Sequence, residues 1–131
     1  MVCAALIGIL AVTSIWLYVQ MTDLKNLNKS EIIVNEKPVN QGAKEETLVT
    51  EIKPDYAGYF DIVMTSTTSN AYVRVTYWYN QQFDFRTTLG TSGRVIVPVL
   101  PTDGWGVVRV FVGNTNLLNG ATETVTIRYY Y

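Results

Sequence analysis

The sequence predicts an α+β protein, a long N-terminal hydrophobic α-helix followed by an antiparallel β-sandwich, and three observations carry that expectation. The 131-residue chain holds no charged side chain between Met1 and Thr22. Every Lys, Arg, Asp and Glu stands at or after Asp23. From Ala57 onward apolar residues recur at every second position, in short runs separated by turn residues.

The first element is Met1–Met21, MVCAALIGILAVTSIWLYVQM. As a helix it would measure about 32 Å, one hydrocarbon thickness. Thr13 and Ser14 can return their hydroxyls to the preceding turn, so an apolar setting tolerates them. Ala4, Ala5, Gly8 and Ala11 repeat small residues at three- and four-residue spacing, which lets helices approach closely. Leu6, Ile7, Leu10 and Ile15 supply apolar bulk. Leu17, Met21, Leu24 and Leu27 continue one seam past the first charges, so the helix is expected to run to about residue 28. The segment carries no basic residue ahead of its apolar run and no A-x-A-like cleavage site after it. Lys25 and Lys29 lie on the domain side, against the positive-inside pattern of an ordinary anchor. These features favour a mature N-terminus from which a basic leader has been removed.

The second part, residues 29–131, opens with a charged transition zone. Glu31–Val34 and Thr47–Ile52 look like strands flanking a turn at Asn40-Gln41-Gly42. Beyond it, Phe60, Ile62 and Met64 alternate with Tyr59, Asp61 and Thr65. Val73, Val75 and Tyr77 alternate with Tyr72, Arg74, Thr76 and Trp78. The same period runs through Val95–Val99, Val108–Val112 and Val125–Tyr129, with Phe83–Thr88 as a shorter candidate. Seven or eight short strands at this spacing predict an immunoglobulin-like sandwich. Its outer faces would carry Tyr, Trp, Thr and Arg, residues enriched where surfaces pack against one another.

Composition narrows the chemistry. The chain has no His and a single Cys, Cys3, so an intrachain disulfide, a Cys-based metal site and a Ser-His or Cys-His pair are all excluded. A formal net charge of −1 gives no field that would attract nucleic acid. Asp61, Asp84 and Asp103 lack the spacing of a calcium loop. No cofactor, metal or catalytic residue is expected. Trp78 and Trp105, with Tyr72 and Tyr130, form a minority candidate for a sugar platform. Asn28-Lys29-Ser30 is an N-x-[ST] sequon, making Asn28 the candidate glycosylation site.

An uncharged N-terminal segment, Val2–Tyr18, ahead of one small β-sandwich resembles the archaeal type IV pilins and archaellins. Bacterial type IV pilins usually carry Glu near the fifth mature position, where this chain has Ala5, so the resemblance is to the archaeal branch. It implies a structural filament subunit, an adhesive pilus protein at the cell surface. The helices would pack in a central bundle with the sandwiches as a sheath. The partners implied are identical copies, the membrane before assembly and the pilus assembly machinery. The competing expectation is a single-pass, membrane-anchored β-sandwich binding or accessory protein of a surface machine.

Overall fold

The computed structural model describes residues 29–79, 81–101 and 106–131. Among them all eight elements are strands: β1 Ser30–Gln41, β2 Glu46–Ile52, β3 Gly58–Ser66, β4 Ala71–Tyr79, β5 Gln81–Thr88, β6 Ser92–Val99, β7 Val108–Asn114 and β8 Ala121–Tyr130. They form two four-stranded antiparallel sheets, ordered β1-β8-β3-β6 and β2-β7-β4-β5.

Two expectations are corrected by this arrangement. The described protein is all-β, not α+β. The expected helix over 1–28, with its packing positions from Ala4 to Leu24 and the sequon at Asn28, lies outside the described residues. The sandwich is also not immunoglobulin-like. An immunoglobulin-like order keeps several sequence-adjacent strands in one sheet. Here β4 and β5 are the one adjacent pair that share a sheet among the described residues; every other connection crosses between sheets. Eight strands in two such four-stranded sheets make a jelly roll. Period-two alternation fixes which side chains face inward, but it does not say which strand lies beside which.

The inward faces follow that alternation. Phe60, Ile62 and Met64 of β3 are fully buried, as are Val125 and Ile127 of β8. They meet Val73 and Val75 of β4 and Val108, Val110 and Val112 of β7. Each such side chain contributes roughly 1.5–3 kcal/mol of burial. Tyr129 closes the core edge-on against Phe60, with ring centroids 5.0 Å apart.

β1 departs from the expected short strand. It runs twelve residues and pairs with β8 throughout, Ser30 opposite Tyr130 and Gln41 opposite Ala121. Glu31–Val34 therefore pairs within its own domain. Register shifts between Ile32 and Val34 and between Val34 and Lys37 break the alternation, and Glu36 sits at φ 44°. Such bulges and an edge Lys37-Pro38 blunt this edge against stray pairing. β5 at the far side of the other sheet pairs regularly with β4, from Tyr72–Thr88 to Tyr79–Gln81.

Candidate interaction surfaces

The registers place two outer faces and two ends. On the β1-β8-β3-β6 sheet the outer face carries Thr122, Thr124, Thr126, Arg128 and Tyr130 from β8. Asp61, Val63, Thr65 and Tyr59 lie beside them on β3, then Ser92, Arg94, Ile96 and Pro98 on β6. Threonines dominate because a β-branched side chain fits a pleated surface and loses little freedom there. Tyr59 and Tyr130 stack, centroids 4.8 Å apart and 15° from parallel. Val63 and Ile96 stand exposed, Ile96 at 54%.

Along β8, β3 and β6 this face carries few charges, Arg94, Arg128 and Asp61. Arg94 grips Asp61 with two parallel bonds, Nε to Oδ1 at 2.6 Å and Nη2 to Oδ2 at 2.8 Å. Such fork-to-fork pairing fixes geometry as well as charge. Arg128 lies directly across from Asp61 in the β3–β8 register. Hydrogen bonding to Asp61 raises the Arg94 pKa further above its ordinary value.

The outer face of the β2-β7-β4-β5 sheet is more polar. Arg74 donates from Nε and Nη2 to Asp84, at 2.8 and 2.7 Å, and from Nη1 to Glu46 at 2.8 Å. These bonds raise the Arg74 pKa, and the Arg74 hydrogen bond holds the Asp84 carboxyl below its ordinary range. Tyr72 donates its hydroxyl to Glu46 at 2.9 Å, and the Arg86 guanidinium lies 3.6 Å above its ring. Burial, then the Glu46 hydrogen bond, pushes the Tyr72 hydroxyl pKa up. Arg109 pairs with Glu51 at 2.7 Å. Four of the five arginines are therefore occupied within the domain by carboxylates or a ring, which leaves each face nearly neutral.

A surface cleft of about 370 Å³ opens on this second face, lined by Thr76, Tyr77, Trp78, Gln82, Val107 and Arg109. Trp78, 57% exposed, forms one wall. The structure does not gather the sugar platform expected from the sequence. Trp78 and Tyr130 stand on opposite sheets, Tyr72 is buried, and Trp105 lies outside the described residues. Asp61 and Asp84 likewise stand on opposite sheets, each held by an arginine, and Asp103 is outside the described residues. No group of three His, Cys, Asp or Glu side chains able to hold a metal occurs among the described residues.

Sequence reasoning missed one buried polar pair. Glu123 and Gln41 lie inside the sandwich, on the inward faces of β8 and β1. Gln41 donates to the Val112 carbonyl. Its Oε1 and the Oε2 of Glu123 have no hydrogen-bond partner. Burial pushes the Glu123 carboxyl pKa up. A Glu at an inward position of the alternating Ala121–Tyr129 run was the available signal.

The two ends of the sandwich differ. At the end where β1 begins, Lys29, the 53–57 loop, the end of β4, the start of β5, Leu100 and Tyr131 come together. The Tyr77 hydroxyl donates to the Leu100 carbonyl at 2.9 Å, tying the two sheets there. Tyr56, Trp78, Phe83 and Leu100 are exposed at or within two rungs of this end. Tyr56 stacks on Tyr131, centroids 5.1 Å apart. The opposite end presents Leu117 and Leu118, the latter 87% exposed. Their loop is ordered by Asn116, whose Oδ1 accepts from the Leu118 and Asn119 amides at 3.0 and 3.2 Å.

No protein-family model and no curated protein matches this sequence. Among solved structures the chain is similar to the VP2 subviral particle of infectious bursal disease virus, at TM-score 0.47 and 5% identity, over 77% of this chain and 31% of that one. It is similar also to the globular domain of zebrafish complement 1qA, at TM-score 0.38 and 11% identity, over 77% and 93%. A third is the carbohydrate-binding module CBM6cm-2 from Cellvibrio mixtus lichenase 5A, in complex with cellotriose, at TM-score 0.34 and 12% identity, over 79% and 86%. The chain spans about a third of the length of the viral protein.

Proposed function

We propose that this protein is a structural subunit of an extracellular homopolymeric filament, held in a membrane before assembly by its charge-free segment Met1–Thr22. The observation that carries the reading is the outer face of the β1-β8-β3-β6 sheet. That face is rich in Thr, carries the stacked Tyr59–Tyr130 pair, and exposes Val63 and Ile96. Its Arg94 is neutralised by Asp61. Four strands at about 4.8 Å spacing and eight residues at about 3.4 Å give a footprint of roughly 500 Å² in projection. Side-chain relief brings this toward the roughly 800 Å² per partner of a stable interface. With only Arg94, Arg128 and Asp61 as charges along β8, β3 and β6, the face meets another copy with little like-charge repulsion. If the contact is heterologous and does not close, the product is a filament. The apolar segment supplies a second, independent reason for identical partners, since each copy would shield the next from water.

The test is assembly by the full chain alone. Detergent is removed from purified protein, and the product is examined by sedimentation and negative-stain electron microscopy. Uniform filaments support the reading. A protein that stays monomeric in detergent and in vesicles, with no filaments on cells that express it, overturns it.

The Trp78 cleft favours a second reading, a membrane-held binding domain. An aromatic wall beside Gln82, Thr76 and Arg109 suits a small polar ligand with one apolar face. Binding of a glycan that is lost on Trp78→Ala, in a chain that never polymerises, would favour it over the first.

A further inference from the structure

We propose that the Lys29 end of the jelly roll is a lipid-contact surface, which seats its exposed aromatic rim in the headgroup region of a zwitterionic bilayer. The inference rests on the membrane stage of the function proposed above and adds the orientation and the contacting residues.

The first observation is chain length. Met1–Thr22 is free of charge, and Asp23–Asn28 supplies the six residues between it and Lys29. Fully extended, that connection keeps Lys29 within about 25 Å of the apolar segment. If Met1–Thr22 lies in hydrocarbon, this connection holds the Lys29 end of the domain near the bilayer surface. The second observation is what that end displays. Tyr56, Trp78, Phe83 and Leu100 are exposed there, from the 53–57 loop, β4, β5 and the segment after β6. They come from four separate stretches of chain: Tyr56 and Leu100 stand beyond the strand ends, Trp78 one rung in on the outer face of its sheet, and Phe83 two rungs in, opposite Tyr77. Tyr and Trp are the side chains that favour a membrane interface, with an apolar body and a polar tip. Trp78 and Tyr56 offer indole N–H and phenol groups to lipid carbonyls and phosphates while their rings displace interfacial water.

Charge decides the lipid class. Lys29 and Lys53 stand at this end with Asp55, and Glu31 and Glu51 follow within two residues of the strand ends. Mixed signs give no net attraction to an anionic leaflet, so ring burial drives the contact. Leu117 and Leu118, although more exposed, sit at the other end, about 30 Å away along the strands. No connection to Met1–Thr22 leads there, so they take no part.

The experiment uses the full chain with Trp16→Phe and Trp105→Phe, which leaves Trp78 as the sole tryptophan of the original three. It is reconstituted in phosphatidylcholine vesicles whose acyl chains are brominated near the headgroup. Flotation reports the membrane stage, and Trp78 emission reports the rim. The expected result is flotation with a blue-shifted Trp78 that loses most of its emission to bromine, equally at low and high salt. A parallel chain with Trp78→Phe and Leu118→Trp floats but keeps its emission. A floating chain whose Trp78 is unquenched overturns the lipid contact and leaves the membrane stage standing. Equal quenching of both probes overturns the stated orientation. A chain that does not float removes the membrane stage, and this inference with it.

Discussion

Lys29 and Tyr131 exchange two backbone hydrogen bonds, the Lys29 amide to the Tyr131 carbonyl at 3.2 Å and the Tyr131 amide to the Lys29 carbonyl at 3.0 Å. The point where the chain enters the domain is thereby sealed to the end of β8. The Tyr131 ring adds a stack on Tyr56 and packs 4.7 Å from Tyr129. Each net hydrogen bond contributes about 0.5–1.5 kcal/mol, and an aromatic pair about as much. Deleting Tyr131 is therefore expected to cost about 2–3 kcal/mol, by those increments. Tyr131→Ala keeps the backbone pair and should cost about 1 kcal/mol. Urea unfolding measures both, and equal losses would show that the backbone pair contributes nothing.

Two glycines are required for different reasons. A Cβ on Gly58 would stand 1.9 Å from the Tyr130 carbonyl oxygen, inside the β3–β8 pairing. Backbone has to move, so Gly58→Ala should cost about 3 kcal/mol. A Cβ on Gly90 would make only an ordinary contact, 3.7 Å from the Ser69 carbonyl oxygen, but the residue lies at φ 69°. Gly90→Ala meets only the left-handed backbone penalty, about 1 kcal/mol. Thermal unfolding should rank the two in that order.

These positions also mark what the sequence made legible. Each inward face was readable from alternation, Phe60-Ile62-Met64 and Val108-Val110-Val112 among them, because a half-buried strand must alternate. β1 was not, because two register shifts and Glu36 in a left-handed conformation interrupt its period. The sheet order was not either. Whether β8 lies beside β3 or beside β7 changes no residue's inward or outward assignment, so the jelly roll and the immunoglobulin-like sandwich share one pattern. Tyr72 read as an outer platform residue, and by register it does face outward. Only the structure shows it covered by Arg86 and tied to Glu46. The neutral character of the faces was hidden in the same way, since pairing of Arg94 with Asp61 or Arg74 with Asp84 depends on strand order.

Glu123 sets a pH dependence. Its folded-state pKa is raised by burial above the ordinary carboxylate value of about 4.5, so the protonated form is favoured in the folded protein. This stability is fully present below that value and is lost as pH rises through the raised pKa. Protonation also gives the unpartnered Oε2 a donor, and Gln41 Oε1, on the neighbouring strand, is an unpartnered acceptor. Glu123→Gln supplies a permanent donor without charge. It should be more stable than the parent at neutral pH and should lose the downward slope that begins above pH 4.5. Denaturation midpoints across that range check the sign. A parent whose stability rises with pH in that window, with the same slope in the variant, would contradict it.

Val63 and Ile96 carry the clearest test of self-association. They stand on adjacent strands, Val63 opposite Arg94 and Ile96 opposite Asp61 in the β3–β6 register. Because both are exposed, replacing either with a polar residue removes little buried area from the folded monomer. Surface changes of this kind usually alter stability by no more than about 0.5 kcal/mol. Buried between copies, a new ammonium group would be desolvated opposite a neutral face, at a cost of several kcal/mol. Val63→Lys and Ile96→Lys should therefore prevent polymerisation, observed as a loss of sedimenting material, while the thermal midpoint moves little. Leu118→Lys, at the far end of the domain, serves as the control. If polymers form through that end and not through the Thr-rich face, the first two substitutions leave them intact and the third abolishes them. The neutral sheet face would then be an ordinary solvent-exposed surface, and the assembly contact would lie at Leu117–Leu118.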